Sequence, residues 1–405
     1  MSAVPDPTTP PSEARMPAQP QRFTIDVPEA VLKDLRHRLA ATRWSDDPGN
    51  DDWRYGTSSA YLRSLVEYWL DGYDWRAHEA RMNRFEHYRV EIDNVPIHFL
   101  RRGGTGADPV PLLLTHGWPW TFWDFAEMIE PLADPAAHGG GPRDGFDLVV
   151  PSLPGFGFSS PLTRTGVGAA TTAGLWSRLM TEVLGYERYG AMGGDFGAVV
   201  TQRLAHERPD ELIGVHLTRY RRPSGAAGVA AVTGGREDYG PDEQGDYERD
   251  RAGAALTASH LAVHTHDPQS LAIGLHDSPV GLAAWLLERR RSWSDCGGDL
   301  ESVYTKDELI TTIMLYWVTG TIGSSLRYYW ETAREDRPLT GGARIDVPLA
   351  VGVLPGDVSA LPRRHAEEDT DLRQWTRLPR GGHFGPAEVP DLLVADLRDF
   401  FRPLR

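Results

Sequence analysis

Five short apolar runs recur along the chain, "PLLLTHG", "FDLVVPSL", "RYGAMGG", "IGVHLT" and "VPLAVGVLP", and helix-patterned stretches such as "TAGLWSRLMTEVLG" and "AVVTQRLAHERP" separate several of them. Runs of this length suit buried strands. Strands that alternate with helices have to return to the same end of the sheet, which makes the sheet largely parallel and covers both of its faces. Upstream, "YRVEIDNVPIHFLRRGG" alternates on each side of Asp93-Asn94, the pattern of a hairpin. Two helices precede it, at "DVPEAVLKDLRHRLAATRW" and "SSAYLRSLVEYWLDGY". Between residues 220 and 340 the rhythm stops and only helix-forming stretches follow, notably "DSPVGLAAWLLERRRSW" and "DELITTIMLYWVTGTIGSSLRYYW". That segment reads as a helical lid inserted into the sheet domain. Its first part, "TGGREDYGPDEQGDYERD", reads as a mobile or solvated loop, and "RRHAEEDTD" further on as a solvated charged turn.

Composition narrows the functional classes. The chain has 405 residues, a net charge of -15 and 40% hydrophobic residues spread in short runs. The acidic balance argues against nucleic acid as a partner, since phosphate binding needs a clustered positive surface. No stretch is long and apolar enough for a membrane anchor. The first residues, "MSAVPDPTTPPSEARMPAQP", lack the basic start and apolar core of a signal peptide and read as a disordered Pro-rich tail. The single cysteine, Cys296, has no partner for a disulfide or a metal site, which suits a reducing cytoplasm.

The chemistry centres on "GGDFG", which follows a strand run and opens a helical one. Small residues around a strand-to-helix turn make the elbow that displays a nucleophile, ordinarily Ser; here Asp195 takes its place. A carboxylate attacking an ester or amide would give a reactive anhydride, but it displaces leaving groups from saturated carbon well. The expected target is therefore a strained ether or a carbon-halogen bond. "THGWP" ends another strand, where the backbone N–H of Trp118, together with that of Phe196 after the nucleophile, is placed to form an oxyanion hole. His116 in the same motif reads as structural. "RGGHF", just before the last helix, puts His383 on a glycine-flanked loop in the chain order expected of a general base. The carboxylate that orients it is assigned to Asp357 in "VGVLPGDVS", at the end of a strand run, in preference to Glu367, Glu368 and Asp369.

Taken together, "HGWP", "PSLPGFGFSSP", "GGDFG", "DSPVGLAAW", "LYWVTGTIGSS" and "RGGHF" resemble the microsomal-type epoxide hydrolases of the α/β-hydrolase superfamily, over residues 22 to 403. The resemblance implies an α/β-hydrolase fold in five parts: a tail (1–21), an N-terminal meander and first hairpin (22–108), two core segments (109–219 and 341–405) and the lid (220–340). It implies a covalent route without cofactor or metal: Asp195 attacks an epoxide, and water activated by His383 and Asp357 hydrolyses the ester. The partners are then a small-molecule epoxide and water, and pairing with a second copy as a homodimer is compatible with it.

The family also supplies an acid to the ring oxygen from two lid tyrosines. One matches Tyr329, with Tyr328 as the adjacent fallback and substrate-lining group; the other position holds His260, so a phenol is replaced by an imidazole. Trp120 and Phe196 depart from the family's usual glycine and tryptophan and are expected to reshape the pocket toward a large, flat or unusual substrate. Relatives of this kind in antibiotic pathways act on enediyne-type epoxides. A dehalogenase, or another ring opening or addition on a diverged scaffold, is the alternative; Phe196 argues against the former, which generally binds halide with a tryptophan after its Asp.

Overall fold

The computed structural model describes residues 19–106, 108–222, 235–335 and 344–405. Among these residues nine strands form one sheet: β1 (Gln21–Phe23), β2 (Glu86–Ile92), β3 (Val95–Arg102), β4 (Val110–Thr115), β5 (Phe146–Pro151), β6 (Tyr189–Gly193), β7 (Leu212–Leu217), β8 (Ile345–Val353) and β9 (Thr370–Arg377). Their order is β1-β2-β3-β5-β4-β6-β7-β8-β9. The first four in that order pair antiparallel, and every later pair is parallel. The fold is the α/β-hydrolase fold.

The expected hairpin forms β2 and β3, and its two turn residues, Asp93 and Asn94, have φ of 52° and 60°. Both central residues of a type I′ turn need positive φ, which Asp and Asn tolerate better than most side chains. The five apolar runs become β4 to β8. In β6 every residue is buried, because helices cover both faces.

The insertion lies between β7 and β8. Its helices are Gln244–His266, Pro268–Asp277, Pro279–Trp293, Lys306–Thr319 and Ile322–Ala333. The N-terminal meander braces them from outside: Tyr68 donates to Asp307 (2.9 Å), Thr57 to the Ala284 carbonyl (2.7 Å), and Arg38 to the Asp277 carbonyl (2.8 Å). Among the described residues no single helix is long and apolar enough to cross a membrane. The bent pair Lys306–Thr319 and Ile322–Ala333 has a suitable composition, but it belongs to this lid.

Several expectations need correction. The acidic loop at the start of the lid is ordered from Gly235 onward, while Thr233 and Gly234 lie outside the described residues. It makes two short 3₁₀ turns and then enters the helix Gln244–His266. Tyr239 and Asp250 are buried, and the tyrosine hydroxyl donates to the carboxylate at 2.5 Å. The Pro-rich tail falls outside the described residues up to 18, and Gln21, assigned to it, is already in β1. "RRHAEEDTD" is a helix, Arg363–Asp369, that runs directly into β9.

Candidate active site

The nucleophile elbow forms where β6 ends. Asp195 has φ 51° and ψ −121°, a backbone conformation that costs a side-chain-bearing residue about 1–3 kcal/mol and persists only where the surroundings enforce it. The surrounding glycines make it sterically feasible. A Cβ on Gly197 would stand 1.9 Å from the Thr115 carbonyl oxygen, and one on Gly117 would stand 2.4 Å from the Cβ of Asp195. The helix Phe196–Glu207 begins immediately afterwards, so the carboxylate projects from the C-terminal edge of the sheet.

The Asp195 carboxylate has two distinct sides. Oδ1 accepts the Trp118 backbone N–H at 2.9 Å. Oδ2 faces His383 Nε2 and an Arg219 guanidinium nitrogen, each at 3.5 Å. His383 in turn meets Asp357 through Nδ1–H and Oδ1 at 2.8 Å, and both side chains are 2% exposed. The rival carboxylates do not approach: Glu367 pairs with Arg363 at 2.7 Å, and Glu368 and Asp369 each pair with Arg222 at 2.7 Å. Phe196 occupies the first position of the helix, where an N–H has no preceding turn to bond to. Its ring packs edge-on against Tyr328 and Tyr329. His116 bonds to the Gly117 carbonyl and accepts the Leu153 N–H, in keeping with a structural role.

From the lid, Tyr329, His260 and Trp293 close over Asp195, Arg219, Arg221 and His383 around a cavity of about 50 Å³. Tyr328 does not line it: its hydroxyl bonds Thr172 at 2.8 Å, so the fallback role assigned to it fails. Trp120 and Phe196 stand directly behind lining groups, Trp120 edge-on to His383 and Phe196 edge-on to Tyr329, so any effect on the pocket's shape runs through those two residues. Trp120 lies edge-on behind the imidazole of His383, with ring centroids 5.6 Å apart, and its carbonyl accepts the Tyr316 hydroxyl at 2.8 Å. It supports the base instead of the substrate.

Comparison with known proteins gives the family. A family model described as epoxide hydrolase N terminus matches residues 20–125, and one described as alpha/beta hydrolase fold matches residues 110–220. A putative epoxide hydrolase of Stigmatella aurantiaca is 41% identical over 384 residues, covering 95% of this chain and 85% of that protein. The chain belongs to the epoxide hydrolase family. Epoxide hydrolase 1 of Oryctolagus cuniculus is 30% identical over 93% of this chain and 88% of that protein. Among solved structures, the juvenile hormone epoxide hydrolase of the silkworm Bombyx mori superposes with a TM-score of 0.83 at 26% identity, covering 97% of this chain and 96% of that one. The Aspergillus niger epoxide hydrolase gives 0.81 at 27% identity, covering 95% and 97%. The chain is thus a hydrolase of the microsomal epoxide hydrolase type.

Electrostatics divide the site's acids and bases. Burial opposes ionisation of Asp195, but the proton and charge of His383, with Arg219 and the Trp118 N–H, outweigh it and hold the carboxyl well below the usual carboxylate range. Burial also disfavours a charged His383, yet Asp357 and Asp195 raise its pKa to about 9. Burial keeps the Tyr329 phenol protonated, reinforced by the Asp195 charge. His260 goes the other way: burial, aided by the charge of Arg289, drops it to about 3. Its ring stacks on Trp118 with centroids 5.5 Å apart, and Nδ1 is buried without a hydrogen-bond partner. These surroundings favour the neutral ring over the imidazolium acid suggested by its alignment with a tyrosine.

Two contributors escaped the sequence reading. Glu388 accepts the backbone N–H groups of Asp295 (2.8 Å), Gly382 (2.9 Å) and Phe384 (2.9 Å), which ties the His383 loop to the end of the lid helix Pro279–Trp293. Arg219, just beyond β7, places its cation beside the nucleophile. The only signal for it was the run "TRYRR" at a strand end.

The raised His383 predicts a pH dependence of stability. The unfolded imidazole titrates near 6.5 and the folded one at about 9, so between these values the native state holds a proton that the unfolded chain has released. This contribution is complete below pH 6.5 and is lost as pH rises through 9. Thermal unfolding should show a falling Tm across that window, with a shallower fall in His383→Gln; equal slopes in the two proteins would contradict the assignment.

Proposed function

We propose that the chain converts an epoxide to a vicinal diol through an ester on Asp195, and that the arrangement carrying this reading is Asp195 and His383 under Tyr329 in one cavity, with Asp357 behind His383. In the first step Asp195 Oδ2 attacks a ring carbon, the C–O bond breaks, and Tyr329 gives its proton to the departing oxygen. His383, protonated in the resting site, restores that proton to Tyr329. Esterification removes the Asp195 charge that helped to hold the imidazolium, so the base becomes neutral when it is needed. In the second step His383 takes a proton from water, and the hydroxide adds to the ester carbonyl. The oxyanion at Oδ1 rests on the Trp118 N–H, with the Phe196 N–H as the second donor. Collapse releases the diol oxygen, which takes the proton from His383, and the new Asp195 carboxyl returns a proton to the imidazole. Asp357 holds the imidazole and its charge throughout.

The aromatic wall of Trp293, Tyr329 and His260 supports an aryl-substituted epoxide as substrate. The test is a single turnover in heavy-oxygen water, with protein in excess over styrene oxide. Label should appear in the peptide containing Asp195 and not in the first equivalent of diol. Labelled diol from the first turnover would mean direct attack by water and would overturn the ester route.

A further inference from the structure

One oxygen of the nucleophile meets two cations, and the two steps above use only one of them. Asp195 Oδ2 lies 3.5 Å from His383 Nε2 and 3.5 Å from an Arg219 guanidinium nitrogen. His383 moves protons. Arg219 cannot, because a guanidinium stays charged at any pH the protein tolerates, so what it offers the reaction is a fixed positive charge.

The chain holds that charge in place from both sides. Arg219 stands two residues beyond β7, between Thr218, whose N–H donates to the Gly193 carbonyl at 3.2 Å, and Tyr220, whose hydroxyl donates to Asp369 at 3.2 Å. Both neighbours are buried. Gly193 is the last residue of β6, so the strand that carries the nucleophile elbow also sets the approach of Arg219. Its side chain is 19% exposed and lines the cavity. Among the described residues Asp195 is the only carboxylate within ion-pair distance of it.

The charge on Oδ2 changes in opposite directions in the two steps. During ring opening Oδ2 gives an electron pair to the epoxide carbon and loses its negative charge, so a neighbouring cation stabilises the starting carboxylate more than the transition state. Ionisation of Asp195 does not depend on Arg219 alone, since His383 and the Trp118 N–H act in the same direction. Hydrolysis reverses the sign. Hydroxide adds to Cγ and spreads negative charge over the tetrahedral adduct. The Cγ–Oδ2 bond then breaks, its electron pair passes to Oδ2, and Oδ2 leaves as the diol oxygen and takes the proton from His383. A cation beside Oδ2 stabilises that charge as it grows. The ester itself is neutral, so this stabilisation falls on the transition state and not on the state before it.

We propose that Arg219 is a catalytic residue of the second step, and that its guanidinium stabilises the tetrahedral adduct on Asp195 and the alkoxide that departs on Oδ2. The inference rests on the ester route proposed above.

The experiment is a single turnover of styrene oxide with protein in excess, in which disappearance of epoxide gives the rate constant of opening and appearance of diol gives that of hydrolysis. In Arg219→Gln hydrolysis should slow by about 10- to 100-fold, less than the full worth of an oxyanion donor because the guanidinium is 3.5 Å away and partly exposed. Opening should hold its rate or quicken, and protein carrying the adduct should accumulate between the two steps. Both rate constants come from the folded molecules, so a folding defect leaves the split between them intact. Arg219→Lys, which keeps a cation, should place hydrolysis between the wild type and Arg219→Gln with opening unchanged. Equal slowing of both steps would reduce Arg219 to a structural support, and slower opening with normal hydrolysis would put the cation at the ring oxygen. Either result overturns the proposal with the ester route standing. Absence of an adduct on Asp195 in His383→Gln, where hydrolysis lacks its base, would remove the ester route itself.

Discussion

Replacing His383 with Gln should give a protein that consumes one equivalent of epoxide and then stops. Alkylation needs the ionised Asp195, and its carboxyl is held well below the usual range by several groups, of which Arg219 and the Trp118 N–H survive the substitution. Ester hydrolysis needs a base. The Gln side chain fills similar space but cannot take a proton from water, and no other titratable group touches Asp195 Oδ2 except Arg219 among the described residues. Steady-state turnover should therefore fall by roughly four orders of magnitude, the scale seen when one member of a catalytic set is removed. Intact mass should rise by the mass of the epoxide, and peptide mapping should place that mass on the peptide containing Asp195. Asp195→Ala should lose turnover to the same extent and gain no mass. An adduct on a different residue in His383→Gln, with Asp195 unmodified, would dismantle the two-step mechanism. The Asp195→Ala control also separates slow chemistry from misfolding, because both variants should unfold cooperatively.

How far this site could be read before the fold depended on the kind of signal each residue carried. Asp195, Trp118, His383 and Asp357 lie at strand ends or on a glycine-flanked loop, and such positions leave short-range marks: small residues at the elbow, a strand run before each turn, a helix after. The structure brings all four together. Glu388 and Arg219 carry no such mark. Each acts through a chain reversal, one tying the His383 loop to a lid helix 93 positions earlier and the other reaching back 24 positions to the nucleophile. Charged side chains at ordinary spacing do not announce contacts of that range. The sheet shows the same division. β4 to β8 are apolar runs buried from both faces, whereas β9, "TDLRQWTR", is a half-exposed edge strand without an apolar run. It was hidden behind a charged helix whose i,i+4 pairs, Arg363 with Glu367 and Arg364 with Glu368, also fit a solvated turn. The acidic start of the lid misled for the opposite reason. Its charge suggested solvent, but Asp250 is a buried acceptor for two backbone N–H groups, so the composition recorded a hydrogen-bonding job.

The lid acid separates two otherwise similar aromatic groups, and here the expected effects diverge sharply. Tyr329→Phe removes the proton that the opening ring oxygen would take while keeping the ring that packs on Phe196 (4.5 Å) and Trp118 (5.7 Å). Single-turnover alkylation should fall by about 10²- to 10⁴-fold, the usual worth of a positioned general acid. His260→Phe should cost at most about tenfold, because a neutral imidazole offers an N–H at best and no exchangeable charge. The pH profile distinguishes the two further. An imidazolium acid at His260 would make alkylation decline as pH rises through its pKa. With that pKa lowered to about 3 by burial, the decline would be complete well on the acid side of pH 5, and no limb belongs to His260 near neutrality. Alkylation by the wild-type protein, followed by stopped flow from pH 5 to 9, should show no step near 6.5, and His260→Phe should leave the shape of the curve unchanged. A limb near 6.5 that disappears in His260→Phe would mean that the closed lid admits enough water to solvate the imidazolium, and the acid would then be shared between the two residues. Tyr329→Phe retaining most of its alkylation rate would instead leave the ring oxygen to another donor, with the Arg219 guanidinium beside the nucleophile as the nearest cation.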